Sequence, residues 1–530
     1  MQKIQRLAQI AVIAALLTAC SRNSGLWGAP PTPTLGLPEL TAIPTPVFVP
    51  SITPSPSVTP LMVLPMPGSP TPGMARSQPP APSATVPPVN TAGPMDVYRA
   101  QGGDTLNIVA TRFRVNVDQI ISDTILPPPT ILIQVGTLLL LPKTTPEGPI
   151  GPGERTIPDS EIVLGPSSLG FNTIDYVNGF GGFLSTYHEY VLSYGDISGA
   201  EAVERISQDN SLSPRIILAI IEYESRWVRG KPTNLAQDEY PLGYVDYHYR
   251  KLFRQLMWAS GTLSDGYYRW RSGNLTELTF KDGTKLRMNP YLNAGTAAIQ
   301  YYFAQAHTRA EWDQAIASTG FPALYTEMFG LPWVRAARFE PTIPNGLIQP
   351  ELSLPFEPGK IWAFSGGPHS AWEEEGGALA ALDFAPGAME HGCVPTDTWV
   401  LAPAAGVVAR AGDGVVMLDL DGDGYEQTGW VILFLHIRSD GKAQTGQVLQ
   451  KGDHIGHASC EGGMATGTHV HIARKYNGEW MLADGPVPFN LDGWVAHNGL
   501  APYKGSLTKG DKTITASTSG SFETRIIRDK

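Results

Sequence analysis

The sequence has little charge, and its charge is mainly negative. Only 16% of its 530 residues are Asp, Glu, Lys or Arg, the net charge is -11, and no block of basic residues occurs. These features argue against a nucleic-acid partner, which requires a positively charged patch. The apolar run near the start, Ile10 to Leu17, is far shorter than the roughly 20 residues that span a bilayer. The chain is too long for one core, and its length suggests about three domains.

The first twenty residues have the pattern of an export signal. Lys3 and Arg6 precede the apolar run, which leads into Leu17-Thr18-Ala19-Cys20. This segment resembles a bacterial lipoprotein signal. The resemblance implies that residues 1–20 are the signal, that Cys20 carries a lipid, and that the protein is extracytoplasmic and anchored to a membrane. An ordinary cleaved signal with a leftover cysteine is the alternative.

Cysteine is scarce, because the whole chain contains three. With Cys20 lipidated, Cys393 and Cys460 remain, and an exported protein permits a disulfide between them. Two buried free thiols are the alternative.

Residues 21–95 are predicted to be a proline-rich, disordered linker. Between Pro30 and Pro94 lie 20 of the 47 prolines, and only Glu39 and Arg76 are charged there. Such a segment cannot bury a core, so we expect an extended stalk.

Residues 96–143 have the pattern of a small βααβ module. A short strand precedes Gly102-Gly103-Asp104-Thr105, and a helix with apolar residues at helical spacing follows. A second amphipathic turn surrounds Ile120, and an apolar strand ends at Pro142. This order and the Gly-Asp-Thr-Leu signature resemble a LysM module. The resemblance implies binding to the glycan strands of peptidoglycan, in a shallow groove near Gly103, Asp104, Thr105 and Leu106 and the facing loop at residues 123–133.

Residues 160–345 are predicted to be mainly helical. In the segment Ser213 to Ser225, Glu224 falls on the apolar stripe, where burial would raise its pKa and suit a general acid. This helix resembles the catalytic helix of the lysozyme-like lytic transglycosylases. Asn293-Ala294-Gly295-Thr296, followed by a helix through Tyr301, Tyr302 and Phe303, resembles their groove-closing segment. The family's Gly-Leu-Met-Gln signature is missing. Two alternatives stay open: Glu224 bridges within an ordinary helical domain, or the domain binds glycan without cutting it.

Residues 355–505 are predicted to be a mainly antiparallel β domain, because short apolar runs alternate with glycine turns. His469 and His471 project from the same face of a strand. Two histidines and one carboxylate, such as Asp383, give zinc three protein ligands and leave one position for water, which is a catalytic arrangement. His369 lies upstream in Gly366-Gly367-Pro368-His369.

These motifs resemble the lysostaphin and β-lytic class of zinc endopeptidases. The resemblance implies that His369, Asp383 and His471 bind Zn²⁺, and that His469 and His436 are catalytic. It also implies that the protein cuts peptide bonds in the stem peptides or cross-bridges of peptidoglycan. The alternative is a non-catalytic, wall-binding scaffold that activates another hydrolase.

Two further segments of the C-terminal part carry predictions. Asp419, Asp421 and Asp423 match the start of a calcium loop, but Trp430 stands where its bidentate Glu is expected. A Ca²⁺ site and a solvated acidic hairpin are therefore both open. Residues 506–530 are rich in Ser, Thr, Lys and Gly and are predicted to be a mobile polar tail.

Overall fold

The computed structural model describes residues 93–145, 148–372, 376–387, 392–519 and 521–529. The predictions for the signal, the lipid on Cys20 and nearly all of the 21–95 linker concern residues outside these ranges. Within the described ranges, none of the helices combines the length and apolar character that crossing a membrane requires.

The N-terminal described segment is a two-stranded sheet with one helix. Strand β1 (Met95–Arg99) pairs antiparallel with β2 (Leu138–Pro142), and helix α1 (Leu106–Phe113) packs against them. The predicted second helix is wrong, because only a 3₁₀ turn, Val117–Gln119, forms there. The chain then returns to extended geometry, so that Ile121 forms a β-bridge with Leu140 on β2.

The central segment is mainly helical. Its helices are α2 (Thr173–Phe180), α3 (Phe183–Thr186), α4 (Gly199–Asn210), α5 (Pro214–Ser225), α6 (Leu235–Glu239), α7 (Leu252–Arg271), α8 (Ala294–Ala306), α9 (Arg309–Ile316), α10 (Phe321–Phe329) and α11 (Pro332–Ala336). Two hairpins interrupt them, β3 (His188–Val191) with β4 (Gly195–Ser198), and β5 (Glu277–Thr279) with β6 (Lys285–Arg287).

The long helix α7 packs closely against α8. At Gly266 a Cβ atom would lie 2.9 Å from the Cα of Ala298 and 2.9 Å from the Cβ of Tyr301. A side chain at this position would push the helices apart, so glycine is required there by packing.

The C-terminal segment is built of antiparallel strands. They are β7 (Ile361–Ser370), β8 (Leu379–Pro386), β9 (Trp399–Leu401), β10 (Gly406–Gly412), β11 (Val415–Asp419), β12 (Trp430–Leu435), β13 (Val448–Leu449), β14 (His454–His457), β15 (Val470–Tyr476), β16 (Glu479–Trp480), β17 (Asn490–Leu491), β18 (Trp494–Asn498), β19 (Gly505–Lys509), β20 (Lys512–Thr515) and β21 (Arg525–Ile527). The main sheet has the order β13-β10-β11-β12-β15-β8-β7-β21, with β16 paired to β15. Strands β17 to β20 form a second sheet, and β9 pairs with β14.

The predicted mobile tail at 506–530 is wrong. Strands β19 and β20 form a hairpin in the second sheet, and β21 pairs with β7, with Ile526 opposite Trp362. Leu507, Ile514 and Ile526 are buried among the core residues of the β domain. Each apolar side chain stands among polar neighbours that point to solvent, which is why the composition resembles that of a tail.

Both faces of the central strands of the main sheet are buried. On β12, Leu433 packs with the helical segment, whereas Ile432 and Phe434 face the core of the β domain. Met417 and Leu418 on β11 divide in the same way. The helical segment and the β domain therefore share a core, because alternate side chains of one strand serve two hydrophobic layers.

A buried arginine joins all three segments. Arg271 of α7 donates from Nε to Glu479 Oε1 at 2.8 Å and from Nη2 to Thr342 Oγ1 at 2.9 Å, and it also donates to the carbonyl of Gly102. Its positive charge is balanced by the carboxylates of Glu479 and Asp159. The described residues form one compact unit rather than separate modules.

Candidate metal centre

Three neighbouring strands position the predicted metal ligands. Asp383 on β8 lies directly opposite His471 on β15, and β7 carries His369 on the other side of β8. The register between β7 and β8 is irregular from Phe364 to Ser370. The local irregularity turns His369 toward the side chains of the other two residues.

The three side chains meet at one point inside the protein. His369 Nε2 lies 3.0 Å from His471 Nδ1, and Asp383 Oδ1 lies 3.3 Å from each of these nitrogens. All three residues are buried. The structure therefore brings together the ligand set that the sequence predicted.

The hydrogen bonds behind the two imidazoles assign their tautomers. His369 Nδ1–H donates to the carbonyl of Gly367 at 2.8 Å, and His471 Nε2–H donates to the carbonyl of Ala371 at 3.0 Å. In their neutral forms both rings consequently direct a lone pair at the meeting point. Asp383 Oδ1 is buried there without a hydrogen-bond partner. Two lone pairs and a carboxylate oxygen in contact fit a bound divalent cation and are costly without one.

The charges within the cluster shift its pKa values in opposite directions. Burial alone would raise the pKa of Asp383, yet His369 and His469 hold it well below its usual range. Burial lowers the pKa of His471, and the favourable contact with Asp383 only partly offsets this. The carboxylate is therefore ionised and His471 is neutral, which are the forms that bind a metal ion.

The two predicted catalytic histidines lie beside the ligands. His436 follows β12, and its ring centroid lies 4.4 Å from that of His469. His436 Nδ1–H donates to the carbonyl of Glu461 at 2.9 Å, and His469 Nδ1–H donates to that of Gly467 at 2.7 Å. His469 Nε2 lies 3.7 Å from Asp383 Oδ1. Burial and the neighbouring histidines lower the pKa of His436 to about 3, so this ring is neutral.

One residue at this site, Tyr503, is not predicted by any pattern in the sequence. Tyr503 stacks on His369 with the ring centroids 4.1 Å apart. Tyr503 lies in the turn before β19, close to residue 505, where the β domain was predicted to end. A lone tyrosine in a polar turn has no pattern that predicts such a contact.

A disulfide lies next to the site. It joins Cys393 and Cys460, whose Cα atoms are 5.8 Å apart, so the first of the two predicted alternatives is the one in the structure. Glu461, which follows Cys460, carries the carbonyl that orients His436.

Three of the predicted glycan contacts, Gly103, Asp104 and Thr105, are buried within the chain. Asp104 accepts hydrogen bonds from Arg112 Nη1 at 2.7 Å and Tyr98 Oη at 2.6 Å, and the Thr105 side chain caps α1. A Cβ atom on Gly103 would lie 3.1 Å from Arg271 Nη1. These residues are buried by contacts within the chain, so a glycan does not reach them.

Glu224 on α5 bridges to a histidine of the helical segment, which is one of the two alternatives that the sequence left open. Its Oε1 lies 2.8 Å from His307 Nε2, and Gly243 covers the carboxylate. Burial lowers the pKa of His307, but Glu224 more than offsets this and the net shift is upward. A protonated His307 makes an ion pair with Glu224, whereas a general acid presents a protonated carboxyl to a substrate. The transglycosylase role stays a prediction from the sequence.

The predicted groove-closing segment is buried as well. Asn293 Nδ2 donates to Asp159 Oδ1 at 2.7 Å, and the N–H of Gly295 donates to the same oxygen at 2.8 Å. A Cβ atom on Gly295 would lie 2.4 Å from the carbonyl oxygen of Pro158. Residues 293–296 therefore begin α8 inside the protein, whereas Tyr301, in the helix that the same prediction included, lines a cleft together with the candidate metal ligands.

The acidic cluster has the compactness of a cation site. Asp419, Asp421 and Asp423 each offer an oxygen, and these atoms lie within 4.8 Å of one another. Asp419 Oδ2 also accepts a hydrogen bond from the N–H of Gly424 at 2.8 Å. Both predicted alternatives, a Ca²⁺ site and a solvated hairpin, are compatible with this geometry.

The fold and the site define an antiparallel β domain fused to a helical segment, with two histidines and one aspartate placed so that they could hold a metal ion. Residues 155–342 match the family model described as "LasA, N-terminal domain". None of the curated proteins matches the chain.

Among solved structures, the chain is similar to the M23 metalloprotease pseudoalterin from the deep sea, with 22% identity, 32% of this chain and 96% of that chain covered, and a TM-score of 0.27. It is also similar to a zinc-containing peptidase from Vibrio cholerae, with 16% identity, coverage of 27% and 41%, and a TM-score of 0.20. The catalytic domain of lysostaphin from Staphylococcus simulans matches with 19% identity, coverage of 24% and 89%, and a TM-score of 0.17. Each of these three structures covers a third of this chain or less.

Proposed function

We propose that this protein is a zinc-dependent endopeptidase that hydrolyses peptide bonds in the stem peptides or cross-bridges of peptidoglycan. The proposal is carried by the meeting of His369 Nε2, His471 Nδ1 and Asp383 Oδ1, where a buried carboxylate oxygen has no hydrogen-bond partner. The resemblance of the site motifs to lysostaphin and β-lytic peptidases supports peptidoglycan as the substrate. The LasA-model match of residues 155–342 supports a peptidase.

A zinc ion held by the three ligands would supply Lewis acidity and an activated water molecule. Because the Nδ1–H groups of His436 and His469 donate to carbonyls, the lone pair of each neutral ring lies on Nε2, and Nε2 of His469 lies 3.7 Å from Asp383 Oδ1. A neutral Nε2 accepts a proton from the attacking water and returns it to the leaving amine. Before it returns the proton, the protonated ring donates a hydrogen bond to the developing oxyanion.

Under this proposal the protein acts outside the cytoplasm, where a lipid on Cys20 anchors it to a membrane. The resemblance of residues 96–143 to a LysM module supports glycan binding there, at the largely exposed 123–133 loop. Its partners are thus a membrane and the glycan strands and peptides of the wall.

The decisive experiment measures new amino termini released from purified peptidoglycan, together with the zinc content of the protein. Wild-type protein is expected to hold zinc and release amino termini, and His471→Ala is expected to lose both. The matched control is His188→Ala on β3, because this side chain is 55% exposed and lies far along the chain from the ligands. A wild-type protein that binds zinc but releases no amino termini would contradict the proposal and favour the scaffold alternative.

A further inference from the structure

The metal ligands line a cleft that the helical segment also lines. Its volume is about 2930 Å³, and its lining includes His369, Asp383 and His469 at the metal centre and Trp258 and Tyr301 of the helical segment. Clefts for drug-sized ligands have volumes of about 300–1,000 Å³. This cleft is several times larger, so it suits a polymer whose reacting bond occupies only one part.

One face of α7 forms a wall of the cleft. Phe253, Met257, Gly261 and Asp265 are spaced four residues apart, which places them on the same side of a helix, and all four line the cleft. Met257 is 45% exposed although it is apolar. We call these four residues the α7 face.

Gly261 lies in the middle of the α7 face and has no packing reason to be glycine. A Cβ atom built there would have no heavy atom of the described chain within 4 Å, in contrast to Gly266, where it would touch α8. Glycine inside a helix is about 1 kcal/mol less favourable than alanine. The open space above Gly261 thus lowers helix stability without improving the packing of the protein.

The side chains around this space suit a sugar ring. Trp258 and Tyr301 line the same wall, and Tyr244 stacks on Trp258 at 4.2 Å with an interplanar angle of 4°, which holds the indole in one orientation. Asp265 and Gln305 add acceptors for hydroxyl and amide hydrogens. Sugar rings combine apolar faces with a rim of hydroxyl groups, and flat aromatic rings beside carboxylate and amide groups match both features.

We propose that the α7 face, with Trp258 and Tyr301, binds hexosamine rings of the glycan strand whose attached peptide is cut at the metal centre. A ring lies over Gly261, where a side chain would occupy its place. The assignment rests on the proposed function for the identity of the polymer, and it adds the helical segment to the substrate-binding site.

The test titrates the β-1,4-linked tetramer of N-acetylglucosamine into the full chain by calorimetry with a chelator present, and the binding step at the α7 face is fitted separately from that at residues 96–143. Gly261→Leu is expected to bind the tetramer at least about tenfold more weakly than wild type, because its side chain fills the ring position. The matched control is Gly179→Leu in α2, where a Cβ atom also meets nothing within 4 Å and which does not line the cleft. Equal affinities for all three proteins, or no binding by wild type, would overturn the proposal.

A second pair of variants shows whether Gly261 is structural. Gly261→Ala and Gly179→Ala are both expected to keep or raise the unfolding temperature, because each removes a helix glycine without a clash. A lower unfolding temperature for Gly261→Ala alone would reveal a packing role and overturn the argument. The sugar titration needs neither metal nor hydrolysis, so it is independent of the peptidase assay. A wild-type protein that cuts no peptide but binds the tetramer, and loses this binding in Gly261→Leu, refutes only the peptidase function.

Discussion

Asp265 of α7 accepts a hydrogen bond from the N–H of Gly377, at 3.0 Å, in the hairpin between β7 and β8. That hairpin joins the strands that carry His369 and Asp383, and its residue Ala371 accepts the hydrogen bond that orients His471. One carboxylate of the helical segment thus holds the connection between two ligand-bearing strands.

Removing this carboxylate is expected to weaken zinc binding. In Asp265→Ala the hairpin loses its anchor to α7, and loss of such outer partners typically lowers metal affinity by about tenfold or more. Zinc affinity is measured by competition with a coloured chelator. The control is Asp313→Ala, whose exposed carboxylate pairs with Arg309 on α9. An unchanged affinity in Asp265→Ala would mean that the strands alone hold the ligands in place.

His436 is expected to act in the reaction without binding the metal. His436→Asn suits the backbone, because φ is 63° at this residue and asparagine tolerates that region. The variant is expected to retain zinc and lose at least about 100-fold in kcat, which is the typical contribution of a proton-transfer group. His454→Ala, which alters a histidine on β14, is the control. Loss of zinc from His436→Asn would identify His436 as a ligand instead.

The contact between the β domain and the helical segment is expected to depend on Glu426. This buried carboxylate lies 2.8 Å from Arg410 Nε and 3.0 Å from Lys475 Nζ, and Arg410 also pairs with Asp209 of α4. Glu426→Gln leaves two buried cations short of a partner, so we expect the free energy of unfolding to fall by about 3 kcal/mol at pH 7. Urea unfolding measures it, with Glu351→Gln at an exposed site as control.

This effect has a defined pH dependence. Burial alone would raise the pKa of Glu426, but Lys475 and Arg410 lower it from 4.5 to about 2. Because the pKa in the folded state is the lower one, the stabilisation is complete above about pH 4.5 and is lost as the pH falls toward 2. The difference between wild type and Glu426→Gln should shrink over this interval. A constant difference would show that charge is not its source.

Calcium is expected to bind the acidic cluster. Burial and the charges of Asp419 and Asp423 raise the pKa of Asp421 to about 7, and a cation would relieve this repulsion. Added Ca²⁺ should raise the unfolding temperature of wild type but not of Asp423→Asn, with Asp440→Asn as control. If added Ca²⁺ leaves the unfolding temperature of the wild type unchanged, the cluster is a solvated hairpin.

Local patterns predicted the parts of the site that depend on strand periodicity. His469 and His471 are two residues apart, and both approach Asp383 Oδ1, at 3.7 and 3.3 Å. The carbonyls that orient the rings, such as those of Gly367 and Ala371, cannot be predicted from the sequence. Every residue has a carbonyl, and only the path of the chain decides which one faces an imidazole.

The sequence misled where burial depends on a distant segment. Gly103 to Thr105 have the composition of an exposed turn, yet Arg271 and Ile343 cover Gly103. The polar composition of the segment after residue 505 predicts a tail, because each of its strands contributes few apolar side chains to the core. In both cases the residues that bury the segment lie far from it in the sequence.

By itself the sequence determined the order of three segments, the helical and β character of the second and third, and the ligand types of the metal centre, because these follow from periodicity and side-chain chemistry. Only the tertiary structure decided that the segments form one body with a shared cleft. The reason is that both faces of β12 are apolar, and a strand pattern does not tell which layer covers each face.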